Sequence, residues 1–577
     1  MTTRVLKTAE DQHRESRTFA VVGLPTGAAD RLGRADTSAR RPFLRIPSFP
    51  GARTDRFAYL AATPSDGHGG DDLVALIRKL RVGGSYWAAQ PELPSRYILA
   101  RSHGALRHCL ELSKGAPVVL WSEGSTSPTN SECETVFTGD CDPWHMLGGA
   151  VALVTEPTDE VRAVGAILGV PTYLGDEATG RVEQQAADAQ SILAEFVAAN
   201  VAYLSPFDGH AMSVRETLEL CGFWRRMIDS NRGIACGIGF AFWKQDNVAP
   251  LLWNGSKPFA FQHKPSEKTT HGAVALWRSK TPPEAIATLE SRGVPLVEVE
   301  DGFLRSKGLG ADCVPPLSIT VDGLGAHFDP AQASELEVLI ETSTFDSELL
   351  ARARQIRSLI VKAGLGKYER GGTTLLRPAG SRKHILVPGQ VEDDRSVQTG
   401  GSGLANLELL RRVRERSPAA YIIFKPHPDV LAGHRRGAVA EQACLGYVDQ
   451  IVTEPSISSL IAMVDEVHVN TSLTGFEALM REKSVTTYGV PFYAGWGLTH
   501  DLGAVPSRRS ARPSIDELVA AALLLYPRYL DPVTGLPCPA EVAVARLAAD
   551  GPDDPGLIVA MRRLQGRFMR SLRMLAR

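Results

Sequence analysis

Residues 467–489 read VHVNTSLTGFEALMREKSVTTYG. A β-branched run meets the polar turn NTSLTG, then the apolar-periodic FEALM, then a second β-branched run that enters a glycine. Strand, helix and strand in that order make a βαβ unit, which closes right-handed and collects ligands at the carboxyl ends of its strands. The same rhythm extends outward along the chain. Strands are predicted at Pro117–Leu120, Val151–Thr155, Gly272–Trp277, Leu296–Val299, His384–Val387, Ala420–Phe424, Glu466–Asn470 and Val485–Tyr488. Helices are predicted at Pro282–Arg292, Ala333–Glu341, Ser347–Ala363, Gly403–Arg416, Ile457–Met463 and Gly475–Lys483. The fold class is therefore α/β with parallel sheets.

A gapless alignment sets Leu153–Gly175, LVTEPTDEVRAVGAILGVPTYLG, on residues 467–489. The first copy keeps the apolar skeleton of the second. In it Pro157, Thr158, Val161 and Ala163 stand where the second copy has Thr471, Ser472, Gly475 and Glu477. The packing positions survive and the polar turn is lost.

The chain has 577 residues, 44% of them hydrophobic, with 63 basic and 65 acidic side chains for a net charge of −2. That length suits about three or four domains. An apolar fraction at the globular average excludes whole-chain disorder, and balanced charge gives no electrostatic drive toward nucleic acid. Cysteines 109, 133, 141, 221, 236, 313, 444 and 538 form no CxxC pair, so neither a disulfide framework nor a metal site is expected. No apolar run approaches the ~18 residues of a membrane span. The N-terminus has no hydrophobic signal core, which predicts a cytoplasmic protein. Residues 1–56, rich in Arg, Ser, Thr, Gly and Pro without periodicity, are expected to form a disordered extension. At the other end, Met561–Arg577 carries six arginines and no acid, with an apolar stripe at helical spacing. Such a basic amphipathic helix either lies on an anionic membrane surface, as a peripheral inner-face protein would, or packs on its own domain.

Five polar clusters stand at predicted strand ends. Glu300-Asp301-Gly302 follows the run PLVEV, and paired carboxylates there suit a general base or a substrate-orienting group. Gln390-Val391-Glu392-Asp393-Asp394 follows HILVPG; consecutive acids after a hydrophobic strand suit a nucleophile or acid–base carboxylate, and their spacing is not that of a calcium loop. Lys425-Pro426-His427-Pro428 fixes one imidazole between two rigid prolines, fit for a phosphate contact or proton transfer. Thr471 and Ser472 cap a helix start that favours an anion, and Glu477 in its first turns is placed to reach ribose hydroxyls. The aromatic and glycine-rich YGVPFYAGWG, residues 488–497, suits the wall of a nucleobase or sugar pocket. No P-loop, GxGxxG after a strand, or HExxH is present.

Taken together, EDGFLRSKGLG, PPLSITVD, VPGQVEDDRSV, FKPHP, NTSLTGFEAL and YGVPFYAGWGLT resemble the capsule polysaccharide synthesis family of KpsC-type and KpsS-type proteins, over about Leu204 to Asp531. The resemblance implies GT-B-like paired Rossmann-type domains and a retaining β-Kdo glycosyltransferase. It implies CMP-Kdo or a related CMP-sugar as donor substrate, no separate cofactor, and a capsule glycolipid or oligosaccharide as acceptor. By the same resemblance His427 and Lys425 contact the CMP phosphate, Gln390, Thr471 and Ser472 add hydrogen bonds, and Glu477 holds the ribose. Asp301, beside Glu300, is acceptor base or orienter, and the covalent nucleophile maps to Asp394 or its neighbour Asp393. Export machinery is a further partner the family would bring.

The acid-acid-Gly, QVxxD and His-Pro motifs each occur once, whereas a full KpsC-type chain would repeat the set. The implied layout is 1–56 extension, 57–200 degenerate N-terminal α/β unit, 201–380 acceptor-side domain, 381–555 CMP-sugar-binding domain and 556–577 basic helix. Residues 206–227 would bridge into the intact module. The alternative is a non-catalytic CMP-sugar-binding or assembly protein of capsule synthesis.

Overall fold

The computed structural model describes residues 42–54, 58–60, 71–113, 115–122, 135–176, 181–197, 201–265, 272–306, 313–366, 376–431 and 435–549. The basic segment 556–577 lies outside the described residues. The chain divides into two compact units, 1–232 with 252–258, and 233–251 with 259–577.

In the first unit the strands are β1 Ala58–Leu60, β2 Tyr97–Ala100, β3 Val118–Ser122, β4 Thr135–Thr138, β5 Ala150–Thr155, β6 Thr172–Asp176, β7 Arg181–Gln184, β8 Val201–Leu204 and β9 Ala211–Met212. One sheet runs β4-β3-β2-β5-β6-β7, parallel except for β7, and a small antiparallel sheet runs β1-β8-β9. β2 and β3 are buried along their whole length, as parallel strands covered on both faces must be.

Two expectations change here. Of the extension 1–56, residues 1–41 and 55–56 lie outside the described residues, but 42–54 are built into this unit. Phe43 and Leu44 are fully buried, and Phe49 packs edge-on against Trp224 and Trp253 at 6.1 and 5.2 Å. Single apolar anchors, not periodicity, hold this segment. The bridge at 206–227 is instead β9 and most of a helix, Val214–Asn231, started by a Ser213–Glu216 capping box. That helix belongs to the first unit, which runs on through Arg232 and takes in 252–258 as well, where the sequence layout set a boundary at 200. Its buried Arg225 pairs with Asp142 at 2.9 Å and Asp229 at 2.6 Å, and donates to the Tyr86 carbonyl at 2.6 Å.

The second unit carries β10 Ile234–Ile238, β11 Phe261–Gln262, β12 Ala273–Leu276, β13 Leu296–Asp301, β14 Ser318–Asp322, β15 His384–Pro388, β16 Tyr421–Lys425, β17 Gln450–Ile451, β18 Glu466–Val469, β19 Ser484–Thr487, β20 His500–Asp501, β21 Arg528–Leu530 and β22 Pro537–Cys538. Its first sheet runs β11-β10-β12-β13-β14-β21-β22, parallel through β13 and antiparallel beyond. Its second runs β17-β16-β15-β18-β19-β20, all parallel. Taken in chain order that is 3-2-1-4-5-6, the Rossmann arrangement, with its switch point between β15 and β18. β21 and β22 fall within the segment read as the second domain, yet they pair with β14 and so return the chain to the first sheet.

The repeat seen in the sequence is real in three dimensions, and longer. β5, the helix Val161–Leu168 and β6 hold the same sheet positions as β18, the helix Thr474–Met480 and β19. Further on, Tyr203 faces Met212 as Tyr529 faces Cys538. The Tyr203 hydroxyl donates to Val197 O as that of Tyr529 donates to Leu523 O. Ser205 N bonds His210 O as Asp531 N bonds Leu536 O, around Gly209 and Gly535, both at positive φ. β1 pairs with β8 as β14 pairs with β21. The first unit therefore repeats the latter half of the second.

Its crevice differs. At the ends of β2 and β5, Arg101 Nε bonds Asp159 Oδ2 at 2.8 Å, and the guanidinium lies 3.8 Å over the Trp121 ring. Burial opposes ionisation of Asp159, but Arg101 and the Thr155 hydroxyl outweigh it and hold the carboxyl below its usual value. About 10 Å³ of space remains there.

Candidate functional site

In the second unit a cavity of about 580 Å³ opens between the two sheets. Its six-stranded wall is built at the switch point. Gln390, just past β15, locks onto the residue just past β18: Gln390 Nε2 donates to Thr471 Oγ1 at 2.9 Å, and Thr471 N donates to Gln390 Oε1 at 3.0 Å. Asn406 fixes the Gln390 backbone, accepting from its N–H and donating to its carbonyl, each at 2.8 Å. Gly389 passes so close that a Cβ would sit 3.1 Å from the Phe424 ring and 3.2 Å from His427 N.

The three consecutive acids have three different jobs. Glu392 Oε1 accepts from Asn406 N at 2.9 Å and anchors the helix Asn406–Arg416. Asp393 faces solvent and pairs at 3.3 Å with Arg435, which lines the cavity although Asp393 itself does not. Asp394 lines the cavity and caps the short helix Arg395–Thr399, accepting from Ser396 N at 3.0 Å and Ser396 Oγ at 2.8 Å. Both bonds fall on Oδ1, so Oδ2 is not spent on the cap.

Lys425, the last residue of β16, is buried and donates to Thr453 O at 2.9 Å. His427 follows, and its Nδ1 accepts the Asp429 backbone N–H at 3.1 Å. The neutral ring must then carry its proton on Nε2, which makes that nitrogen a donor. Ser472 and the buried Glu477 complete this wall. Tyr493, fully buried in the aromatic loop, donates its hydroxyl to the Ser472 carbonyl from behind, while Pro491 and Phe492 of that loop reach the cavity.

The opposite wall is the end of β13. The strand runs through Glu300 and Asp301, two residues further than the sequence pattern marks. Asp301 is clamped by two cations, Lys244 Nζ on Oδ1 at 3.1 Å and Arg305 Nε on Oδ2 at 2.9 Å. Arg305 is itself almost wholly buried and donates onward to Val314 O at 2.8 Å. Glu300 is placed differently. Burial pushes its pKa up to about 7, helped by the negative charges of Asp301 and Glu298 and opposed by Arg395 and Lys244. Of two adjacent carboxylates, one is held by cations and the other is poised to take a proton near neutrality.

Nine of the ten sequence-marked residues thus line one cavity, seven of them from the three segments at and beyond the ends of β15, β16 and β18, and Asp393 is not among its lining residues. Two residues were not marked. Lys244, early in the helix Phe242–Leu252, lies 3.4 Å over the Trp277 ring, and burial lowers its pKa against the pull of Asp301. Arg395 spans the cleft, reaching Glu298 at 3.0 Å and Glu300 at 3.2 Å. Lys244 belongs to no motif, and Arg395, though it stands inside VPGQVEDDRSV, was given no role there. Among the described residues no group of three His, Cys, Asp or Glu is arranged to hold a metal, and no helix is long and apolar enough to cross a membrane.

Two α/β layers with a polar cleft at a Rossmann switch point define a class of nucleotide-type folds. The particular family follows from comparison. The family model described as "Capsule polysaccharide biosynthesis protein" matches residues 272–529. The chain is 37% identical over 391 residues to the capsule polysaccharide modification protein LipA of Neisseria meningitidis serogroup B, covering 65% of this chain and 55% of LipA. It is 44% identical over 262 residues to the lipopolysaccharide-processing protein LpsZ of Rhizobium meliloti, covering 44% of this chain and 59% of LpsZ. Among solved structures, Thermosulfurimonas dismutans KpsC, described as a beta Kdo 2,4 transferase, is 32% identical, covering 55% of this chain and 98% of that one, with a TM-score of 0.47. The chain belongs to the capsule polysaccharide biosynthesis family. It spans little more than half the length of the curated relatives it matches.

Proposed function

We propose that the second unit is a glycosyltransferase that moves Kdo, or a related 2-keto sugar acid, from a CMP-sugar to a capsule polysaccharide or glycolipid acceptor, with retention. The observation that carries this reading is the placement of Asp394 and Glu300 on opposite walls of one cavity. The family membership and the Kdo transferase activity named for the KpsC relative support it.

In the first step an Asp394 carboxylate oxygen attacks the anomeric carbon, and the bond to the CMP phosphate breaks. His427 Nε2–H and Lys425 meet the departing phosphate, Gln390, Thr471 and Ser472 hold it from the switch point, and Glu477 takes the ribose. In the second step the acceptor hydroxyl attacks the same carbon. Its proton passes to Glu300, and the ester breaks to restore Asp394. Two inversions give retention. Asp301, clamped by Lys244 and Arg305, orients the acceptor and leaves the base role to Glu300.

Incubation of the full chain with CMP-Kdo, CMP-sialic acid and UDP-sugars, each with and without an oligosaccharide acceptor, tests the reading through nucleotide release. Acceptor-dependent release of CMP is expected. Release from no donor, with CMP still bound, supports the non-catalytic binding protein instead.

A further inference from the structure

The two carboxylates of the proposed reaction come from different sheets, and one side chain joins their walls. Arg395 follows Asp394 directly and begins the helix that Asp394 caps. Its Nη1 donates to Glu298 Oε2 at 3.0 Å and to Glu300 Oε1 at 3.2 Å, both on β13. Glu298 is held in turn by Arg278 Nε at 2.6 Å, and the Arg395 guanidinium rests 5.0 Å from the Phe328 ring. A shift of β13 away from Arg395 would therefore pull on the turn that seats Asp394.

We infer that Arg395 is a positioning residue that ties the ionisation of Glu300 to the seat of Asp394 across the cleft. The roles of the two carboxylates rest on the transferase reading, whereas the ion pairs do not. The charged groups facing Glu300 are Arg395, Lys244, Asp301 and Glu298. The first two favour its ionised form and the last two its neutral form. Glu298 acts twice, because it repels Glu300 and also shares its counter-ion. Removing Arg395 and removing the charge of Glu298 must then move Glu300 in opposite directions.

The test is an infrared titration of Glu300 in the full chain, with Glu300→Gln as the spectral blank, in wild type, Arg395→Ala, Arg395→Lys and Glu298→Gln. Arg395→Ala should raise the midpoint by about 1–2 pH units, Glu298→Gln should lower it, and Arg395→Lys should fall between wild type and Arg395→Ala. With donor and acceptor, Arg395→Ala should lose about ten- to a hundred-fold in kcat with donor KM within about two-fold, as expected when a catalytic group is misplaced. Its acid limb should follow the spectral midpoint. Midpoints that do not move, or that move in the same direction in Arg395→Ala and Glu298→Gln, overturn the inference; an unchanged kcat overturns the link to Asp394. Glu298→Gln preserves shape and hydrogen bonding, so the titration stands even where Arg395→Ala fails to fold. The titration needs no turnover, so it separates this inference from the transferase reading, which fails when no donor releases its nucleotide.

Discussion

Gln390 and Thr471 clasp each other across the point where the six-stranded sheet reverses its winding, each both donating and accepting, at 2.9 and 3.0 Å. Helices leave β15 and β18 toward opposite faces, so the gap between the strands would otherwise be an open slot. The clasp turns it into a fixed floor of the cavity. Gln390→Ala should weaken CMP binding about ten-fold and cost ~1–3 kcal/mol of stability, because the buried Thr471 N–H loses its acceptor. Calorimetric titration with CMP and a denaturant melt check the two effects, and wild-type affinity would remove Gln390 from the nucleotide floor.

The pKa of Glu300, raised to about 7, fixes a pH dependence with a definite sign. A base must be ionised, so kcat/KM should be full above pH 7 and fall as pH drops through about 7, not through the ordinary 4.5. Glu300→Gln should lower kcat by about 10²–10⁴-fold. Because the folded protein holds this proton more tightly than the unfolded chain, stability should decline as pH rises from 4.5 to about 7, and the variant should lack that decline. An acid limb near 4.5 would assign the proton to another group.

Gly475 has little room for a side chain. A Cβ there would lie 2.2 Å from the Tyr493 hydroxyl, which holds the Ser472 carbonyl. Gly475→Ala should therefore cost ~1–3 kcal/mol and disturb the loop that lines the cavity. Thermal melting with and without CMP would register both, and an unchanged melt would mean that Tyr493 gives way freely.

The parallel sheets were legible because their strands are short, apolar and regularly interrupted. All eight predicted strands and all six predicted helices are present, with ends shifted by a few residues. The site residues were legible for a related reason: Rossmann-type sheets deliver function at strand ends, so polar residues there stand out against apolar runs. What escaped was long-range. Arg395 finds Glu298 and Glu300 97 and 95 residues away, and Lys244 finds Asp301 at a separation of 57. Phe43 and Leu44 sit in a stretch with no period, and only the surface they fill explains them. The sorting of Glu392, Asp393 and Asp394 into anchor, surface pair and cavity residue likewise depends on Asn406 and Arg435, which no local pattern names.

The first unit keeps a genuine core despite its filled crevice. Asp142 is fully buried and paired with Arg225, so Arg225→Met should leave an uncompensated buried charge and cost ~3–5 kcal/mol. Chemical denaturation followed by hydrogen exchange should place that loss in residues of the first unit. A stability within about 0.5 kcal/mol of wild type would contradict the packing described for the helix Val214–Asn231.

The central claim is that Asp394 carries the sugar between donor and acceptor. It is tested most directly by quenching Glu300→Gln during incubation with CMP-Kdo and sequencing its peptides by mass spectrometry. Loss of the base should slow the second step and leave a Kdo ester on Asp394, while Asp394→Asn, which preserves the helix cap, should bind CMP and form no ester. An ester on another residue, or wild-type turnover by Asp394→Asn, would contradict the account.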